Sequence, residues 1–344
     1  MNLFSPNTGY LGIDVGSFGI KLVELKKRGG FLSLHTYAYT ENNAGASVLD
    51  WQNDLKYTAE VIKNLHEQSG AQSQSVVAAL PTFSVFSSAI TLSNVDKETL
   101  PAAINWEAKK IIPLPIEDMI LDWKEIPDPQ APKNSRKILL TGAPKELVKK
   151  YVEVFKLAGL TLLSLETETF SLVRSLLGND PSAVMIVEIG ASTTDISVVS
   201  HSIPLLVRSL DSGGSAITKA VSKNLNIGLE RAEQFKYDLG VSLPGENDTD
   251  IPKSILDALT PIINEIKYMI SLYEGKHEDK VEKVILSGGS AMLPNFDKYL
   301  AKILNLNVVV GDPWARISYP VDLRPVLQEI GPRFAVAVGL AMRG

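Results

Sequence analysis

The sequence predicts an α/β chain in which two related half-domains face each other across a cleft, with a small α+β subdomain inserted into the first. Two observations carry this expectation. The pattern Gly12-Ile13-Asp14-Val15-Gly16-Ser17-Phe18-Gly19-Ile20-Lys21-Leu22-Val23-Glu24-Leu25 returns as Val187-Glu188-Ile189-Gly190-Ala191-Ser192-Thr193-Thr194-Asp195-Ile196-Ser197-Val198-Val199. Each stretch reads as an apolar strand holding one carboxylate, a glycine turn rich in small and hydroxyl residues, and a second strand. The other observation is length, since 344 residues exceed one typical domain and make two of related size the natural division.

Each element has its own reason. After the first hairpin, residues 31–40 alternate as a third strand and 41–47 have a loop composition. Residues 54–68 carry Leu55, Ala59, Ile62 and Leu65 on one helical stripe closed by Ser69-Gly70. Residues 76–80 are a short apolar strand ended by Pro81. The texture then changes: a strand at 83–92, a helix at 96–112 stopped by Pro113, strand residues within 116–126, a polar loop at 127–135 and a strand at 137–141. A helix at 145–158 and the segment 160–165 lead into a joining helix at 166–177. Beyond the second hairpin come a strand at 205–210, a turn at Asp211-Ser212-Gly213-Gly214, a helix at 215–225, a polar loop at 240–252, a helix at 253–274 and a strand at 281–286. An apolar helix at 334–342 closes the chain. The expected division is 1–81 with 144–180 and the C-terminal helix 332–344 as the first half, and 82–143 as the insert. The second half takes 181–214 with 253–331, and 215–252 form its small subdomain.

Composition narrows the chemistry. Hydrophobic residues make up 45% and charged residues 21%, as in an ordinary globular protein. A net charge of −5 leaves no electrostatic footprint for nucleic acid. The absence of cysteine excludes disulfides and thiol chemistry. Residues 1–7 lack the layout of a signal peptide, and no apolar run approaches the ~18 residues that span a bilayer, so a cytoplasmic location is expected. Neither a Gly-x-x-x-x-Gly-Lys-[Ser/Thr] loop nor a Gly-x-Ser-x-Gly elbow occurs, and the four histidines have no ligand spacing.

The repeated hairpin is where chemistry concentrates. A carboxylate inside an apolar strand is costly unless a cation, water or donors meet it. Glycine turns let backbone N–H groups face an anion. Two facing hairpins would clamp a nucleotide's phosphates and metal. Asp14, Gly16, Ser17, Phe18 and Lys21 form one side; Gly190, Ala191, Ser192, Thr193 and Thr194 form the other, with Gly213 and Gly214 counted among the phosphate contacts. Asp14 and Glu188 are the expected metal carboxylates, acting through water. Asp195 has two readings, a site residue or a hydrogen-bond acceptor for its own hairpin. Leu286-Ser287-Gly288-Gly289-Ser290-Ala291-Met292-Leu293-Pro294 offers bare backbone for a purine through Gly288, Gly289, Ser290 and Met292, or is simply a tight strand–helix connection, with Pro294 in the helix's first turn. Glu233 and Lys236, three apart on a helix, either reach a ribose and base edge or form a solvated surface pair. Surface pairing is the default expectation for them.

These residues resemble the actin/Hsp70/sugar-kinase ATPase superfamily: its phosphate-1 hairpin at 12–25, its phosphate-2 hairpin at 187–199 and its adenosine motif at 286–294. Ala232-Glu233-Gln234-Phe235-Lys236 is similar to the nucleotide-contacting helix of its bacterial actin-like members. Asn105-Trp106-Glu107-Ala108-Lys109-Lys110-Ile111-Ile112-Pro113-Leu114-Pro115-Ile116-Glu117-Asp118, followed by Leu121-Asp122-Trp123, resembles the signature of the FtsA-like PilM family of type IV pilus assembly. The resemblance implies actin-like (ribonuclease H-like) duplicated half-domains around a nucleotide cleft, with ATP and Mg2+ as cofactors. It implies docking of the N-terminal cytoplasmic peptide of PilN, an indirect link to PilO, PilP and the pilus motor ATPases, and membrane contact through these partners, with self-association as a further possibility. By analogy Glu168 would position a lytic water, with Glu166 as the alternative. Where the family's second hairpin opens with Asp this chain has Glu188, so binding is expected to survive while hydrolysis is in question. Two other readings remain: an FtsA-like filament former, against which stands the lack of a basic amphipathic face at 334–342, and a small-molecule kinase of the same fold, for which no additional motif is present.

Overall fold

A computed structural model describes residues 10–40, 51–126, 134–243 and 250–343. The expected loop at 41–47, most of that at 127–135, residues 244–249 of that at 240–252, and the first seven residues lie outside the described residues. The elements in order are β1 (Leu11–Gly16), β2 (Gly19–Arg28), β3 (Phe31–Tyr39), α1 (Leu55–Ser69), β4 (Ser75–Leu80), β5 (Phe86–Ser93), α2 (Leu100–Ile111), β6 (Met119–Ile126), β7 (Ser135–Pro144), α3 (Lys145–Leu157), β8 (Thr161–Thr167) and α4 (Glu168–Leu172). They continue with β9 (Val184–Ile189), β10 (Thr194–Ser200), β11 (Ile203–Leu210), α5 (Gly214–Leu225), α6 (Leu229–Leu239), α7 (Asp250–Glu274), β12 (Lys283–Ser287), α8 (Phe296–Leu304), β13 (Asn307–Val310) and α9 (Arg324–Ala341).

The duplication legible in the hairpins extends to whole sheets. One sheet has the order β3-β2-β1-β4-β8 and the other β11-β10-β9-β12-β13, the same topology twice. In each, the hairpin strands are antiparallel while the last two strands run parallel to the first. Parallel neighbours require crossover connections, which α1, α3, the α5–α7 segment and α8 help to supply. A third sheet, β5-β7-β6, carries α2 on one face, with Leu100, Ile104 and Ala108 packed on Ile138 and Leu140.

Strand alternation sends neighbouring residues into different cores. From β4, Val76, Ala78 and Leu80 join a core with α1 and α3, while Val77 and Ala79 face the opposite way. From β9, Met185, Val187 and Ile189 enter the core beneath α5 and α7, while Val184 and Ile186 face away from it. The remaining faces meet in a shared core with Leu172, Val173 and Leu177 of the linker and Ala335, Val336 and Leu340 of α9. The linker and the long helix α9 thus join the half-domains. The helices of the 215–252 segment have no core of their own, since Ile217, Val221, Ala232 and Val241 pack with Ile255, Leu259 and Ile266 of α7 in one cluster.

α2 begins at Leu100, not 96, and α7 at Asp250, not 253, and three further differences bear on how the halves meet. The joining helix begins at Glu168, not 166, because Glu166 and Thr167 still pair with β4, and after Leu172 it continues as one π-helical turn, Val173–Leu177. The closing helix starts at Arg324, since the burial of Leu327 and Ile330 beside Trp314 outweighs the interruption at Pro332. Pro294 lies between a 3-10 turn at Gly289–Met292 and α8, not in a helical first turn, and its carbonyl accepts from the Val241 N–H at 3.1 Å. α9 approaches its neighbours closely enough that a Cβ at Gly12 would fall on the Ala337 carbonyl, and one at Gly339 on that of Ser171.

Candidate functional site

The register of the two hairpins builds the site. Asp14 on β1 lies opposite Lys21 on β2, and Glu188 on β9 opposite Asp195 on β10. The second hairpin thus repeats the first with an acid where the first has a lysine. Lys21 Nζ lies 3.1 Å from Asp14 Oδ2. The two turns meet, with Ser17 Oγ and Ser192 Oγ 3.1 Å apart. Sequence reasoning that set the hairpins face to face is matched by this contact.

The Gly190 turn is closed by its own N–H donating to Thr193 O at 2.9 Å. Gly213 and Gly214 buttress that turn: the N–H groups of Gly214 and Ser215 donate to Gly190 O and Ala191 O, both at 2.9 Å. A Cβ at Gly213 would lie 2.6 Å from Gly190 O. The Gly214 N–H is therefore already spent inside the protein. Thr194 is likewise removed from the expected phosphate donors, because its buried hydroxyl donates to Ser212 O at 2.7 Å. Ala191, Ser192 and Thr193 remain at the turn's partly exposed rim, as do Gly16, Ser17 and Phe18 opposite.

Glu168, at the start of α4, accepts from the Thr82 N–H at 2.8 Å and the Thr82 hydroxyl at 3.1 Å. Burial and the Asp14 charge raise its pKa to about 7, against the opposing pull of Thr82 and Lys21. Glu188 is pushed to about 8 by burial, Glu168 and Asp14. Asp195 is raised by burial and by Glu168 and Glu188, and accepts a hydrogen bond from the Ser209 hydroxyl. Its partner is thus a side chain and its surroundings are the site. Lys21, whose charge burial opposes, is nonetheless held protonated more firmly by Asp14, Glu188 and Glu168.

One lysine among four carboxylates leaves a site that favours a further cation. Among the described residues no three acidic or histidine side chains converge as a metal cage. Asp14 and Glu188 are of the donor chemistry that Mg2+ takes, one or two carboxylates together with waters and phosphate oxygens. The buried Tyr151 hydroxyl, within electrostatic reach of Glu168 and Asp14, has no hydrogen-bond partner among the described residues. Glu166, by contrast, is locked: Arg174 grips it bidentately at 2.7 and 2.8 Å and Ser171 donates at 2.8 Å. Arg174 also donates to Gly339 O, so Glu166 fastens the linker to α9 and is no candidate for positioning water.

On the far side, the default surface pair is overturned. Lys236 is 1% exposed. Its Nζ donates to Glu233 at 2.7 and 2.8 Å, and to Thr218 Oγ1 at 3.0 Å. Burial lowers its pKa, Glu233 opposes that, and Arg333 adds to it. Ser290 Oγ would lie 2.6 Å from a Cβ at Gly214, so these elements meet without room for a side chain. Gly288 has φ +81°, and a Cβ there would lie 2.8 Å from Glu188 Oε1. The expected adenosine motif therefore abuts Glu188 directly. Met292 is 37% exposed, at the margin. Sequence reasoning missed Thr82, Thr218 and Tyr237, whose hydroxyl donates to Gly289 O at 3.4 Å. For Thr218 a signal existed, since it follows Gly214 by one helical turn and donates back to its carbonyl at 2.9 Å.

Among the described residues no helix is long and apolar enough to cross a membrane. The chain is similar in structure to a PilM–PilN type IV pilus biogenesis complex, with a TM-score of 0.84 and 26% identity over 98% of this chain and 99% of that one. The MreB5 protein of Spiroplasma citri bound to AMPPNP shares the fold, at TM-score 0.53 and 14% identity, covering 98% of this chain and 96% of that one. In sequence, the cell division protein FtsA of Enterococcus faecalis is 21% identical over 88% of this chain and 78% of its own length. The family profile described as type IV pilus assembly protein PilM matches residues 12–344. This chain has the actin-like ATPase fold and belongs to the PilM family of type IV pilus assembly proteins.

Proposed function

We propose that this protein is a nucleotide-regulated scaffold of pilus assembly that binds MgATP in its cleft and docks the cytoplasmic N-terminal peptide of PilN. Through PilN it would join PilO and PilP at the inner membrane to the cytoplasmic motor ATPases. The observation that carries the reading is the pair of facing hairpins, Asp14 with Lys21 and Glu188 with Asp195, in a chain superposable on a PilM–PilN complex along nearly its whole length. Asp14 and Glu188 would hold Mg2+ through water; the 16–18 and 190–193 turns would take the phosphates, and Gly288, Gly289, Ser290, Glu233 and Lys236 the adenosine. Bound metal would neutralise charge on the phosphates. Glu168 is the group suited to orient a water, and its raised pKa suits a slow base.

Coupling between nucleotide and partner is supported by Thr82. It opens the inserted segment and donates twice to Glu168. With Val85 and Ser87 it also lines a small recess shared with Thr169 and Phe170 of the linker and Pro204 and Val207 of the second half. A ligand that draws the two halves together would act on the insert at this point, and by linkage the partner would act on the nucleotide. The nucleotide part is tested by calorimetric titration of MgATP into the wild-type protein and Gly190→Val. Micromolar binding in the first and loss in the second, with the variant shown to be folded, is expected. Unchanged binding by Gly190→Val would move the phosphates elsewhere.

A further inference from the structure

In the insert's sheet, of order β5-β7-β6, β6 is an edge strand that pairs with β7 alone among the described residues. From Asp122 to Glu125 it is exposed on both faces. Ile120 is 45% and Trp123 39% exposed on the same strand. Asp122 directs its carbonyl toward β7, where the Thr141 hydroxyl donates to it at 3.1 Å. The alternation of an antiparallel ladder then turns the N–H and carbonyl groups of Leu121, Trp123 and Glu125 outward. The Trp123 N–H meets no strand there, and the Oδ1 of Asp122 accepts it at 2.9 Å. An uncovered edge with open backbone groups and a bare tryptophan is a template for another strand.

We propose that this strand is β6 of a second copy, running antiparallel with Trp123 opposite the partner's Trp123 on a two-fold axis. Charge selects both the occupant and the register. Met119 and Leu121 face α2, so Asp122 and Lys124 lie on the opposite face of the sheet. Centred on Trp123, the pairing sets Asp122 against the partner's Lys124 and Lys124 against the partner's Asp122. Ile120 falls opposite the partner's Ile126. Sliding one strand by two residues, the smallest shift that keeps the outward groups paired, sets the two Asp122 or the two Lys124 side chains against each other. Like charges directly opposite are destabilising, so the strand is its own complement in one register. The contact is isologous and closes as a dimer, joining the two inserts' sheets into one. It is independent of what binds in the cleft.

The test is sedimentation of the full chain over a concentration series, for wild type, D122K, K124D and the double variant D122K/K124D. Expected is a reversible dimer in wild type, weakened about tenfold in each single variant and restored in the double, where the two charges have exchanged places. Both positions are exposed, so the fold tolerates the changes. The chain has no cysteine, which gives a second readout independent of charge. On the two-fold axis the paired Cα atoms lie about 5.5 Å apart, within disulfide reach, so Trp123→Cys should yield a covalent dimer on mild oxidation. Lys109→Cys, on the exposed side of α2, should not. A wild-type protein that stays monomeric throughout, a dimer indifferent to the single charge changes, or a double variant that is not restored would each overturn the proposal. So would protection of the β6 amides from exchange by the PilN peptide in a monomeric protein, which would give the edge to that partner.

Discussion

Asp14 stands where charge and geometry meet: buried, paired with Lys21 at 3.1 Å, and the carboxylate whose field helps raise both Glu168 and Glu188. In the proposed function it serves the site and not the core. Asp14→Ala is therefore expected to lower MgATP affinity at least tenfold while shifting the melting temperature by no more than a few degrees. Normal binding by the variant would remove Asp14 from the site. Glu188 leads to a pH prediction. A carboxyl held at about 8, above its ordinary 4.5, binds its proton more tightly in the folded state. Its stabilising contribution is complete below pH 4.5 and is lost as pH rises through 8. The metal-free protein should lose stability to urea between those limits, and Glu188→Gln should flatten that slope. An unchanged slope in the variant would assign the effect to another group. The carboxylates and glycines of both hairpins were legible in the sequence because each set is contiguous. Lys236 was not: its burial comes from Thr218 and Ser290, which only tertiary packing brings beside it.

At the scale of elements, α9 is the joint of the molecule. It contributes Ala335, Val336 and Leu340 to the core shared by both sheets, and it meets β1 and α4 backbone to backbone at Gly12 and Gly339. No rotamer change relieves a Cβ against a carbonyl. Gly12→Ala should cost about 1–3 kcal/mol by overpacking, read from the urea midpoint. A cost below half of that would mean the helix shifts without resistance. The sequence revealed the apolar C-terminal part of this helix but not its first turns, because two prolines read as stops when helix-to-sheet packing is unknown. The joining helix was misplaced by two residues for the same kind of reason. Strand pairing with β4 holds Glu166 and Thr167 extended, and a pairing partner eighty-odd residues away leaves no local trace.

Over the whole molecule, two sheets of identical strand order meet through α4 and α9, and the cleft chemistry sits where their hairpins touch. The repeated sentence in the sequence was enough to foresee that duplication, because both copies kept the strand–turn–strand pattern and its carboxylate. The link from cleft to insert was not foreseeable, since Thr82 acquires its meaning only by reaching Glu168. Thr82→Val removes the hydroxyl donor and keeps the N–H. It should leave affinity for PilN's peptide in the absence of nucleotide near the wild-type value while reducing the effect of MgATP on it. A full nucleotide effect in that variant would route the coupling elsewhere. The most direct measurement is titration of a labelled peptide from the cytoplasmic N-terminus of PilN into the wild-type protein, with and without MgATP. Saturable binding whose affinity changes severalfold with nucleotide is expected. Binding that is identical in both conditions would contradict the regulation, and a folded protein that binds no peptide in either would contradict the scaffold itself.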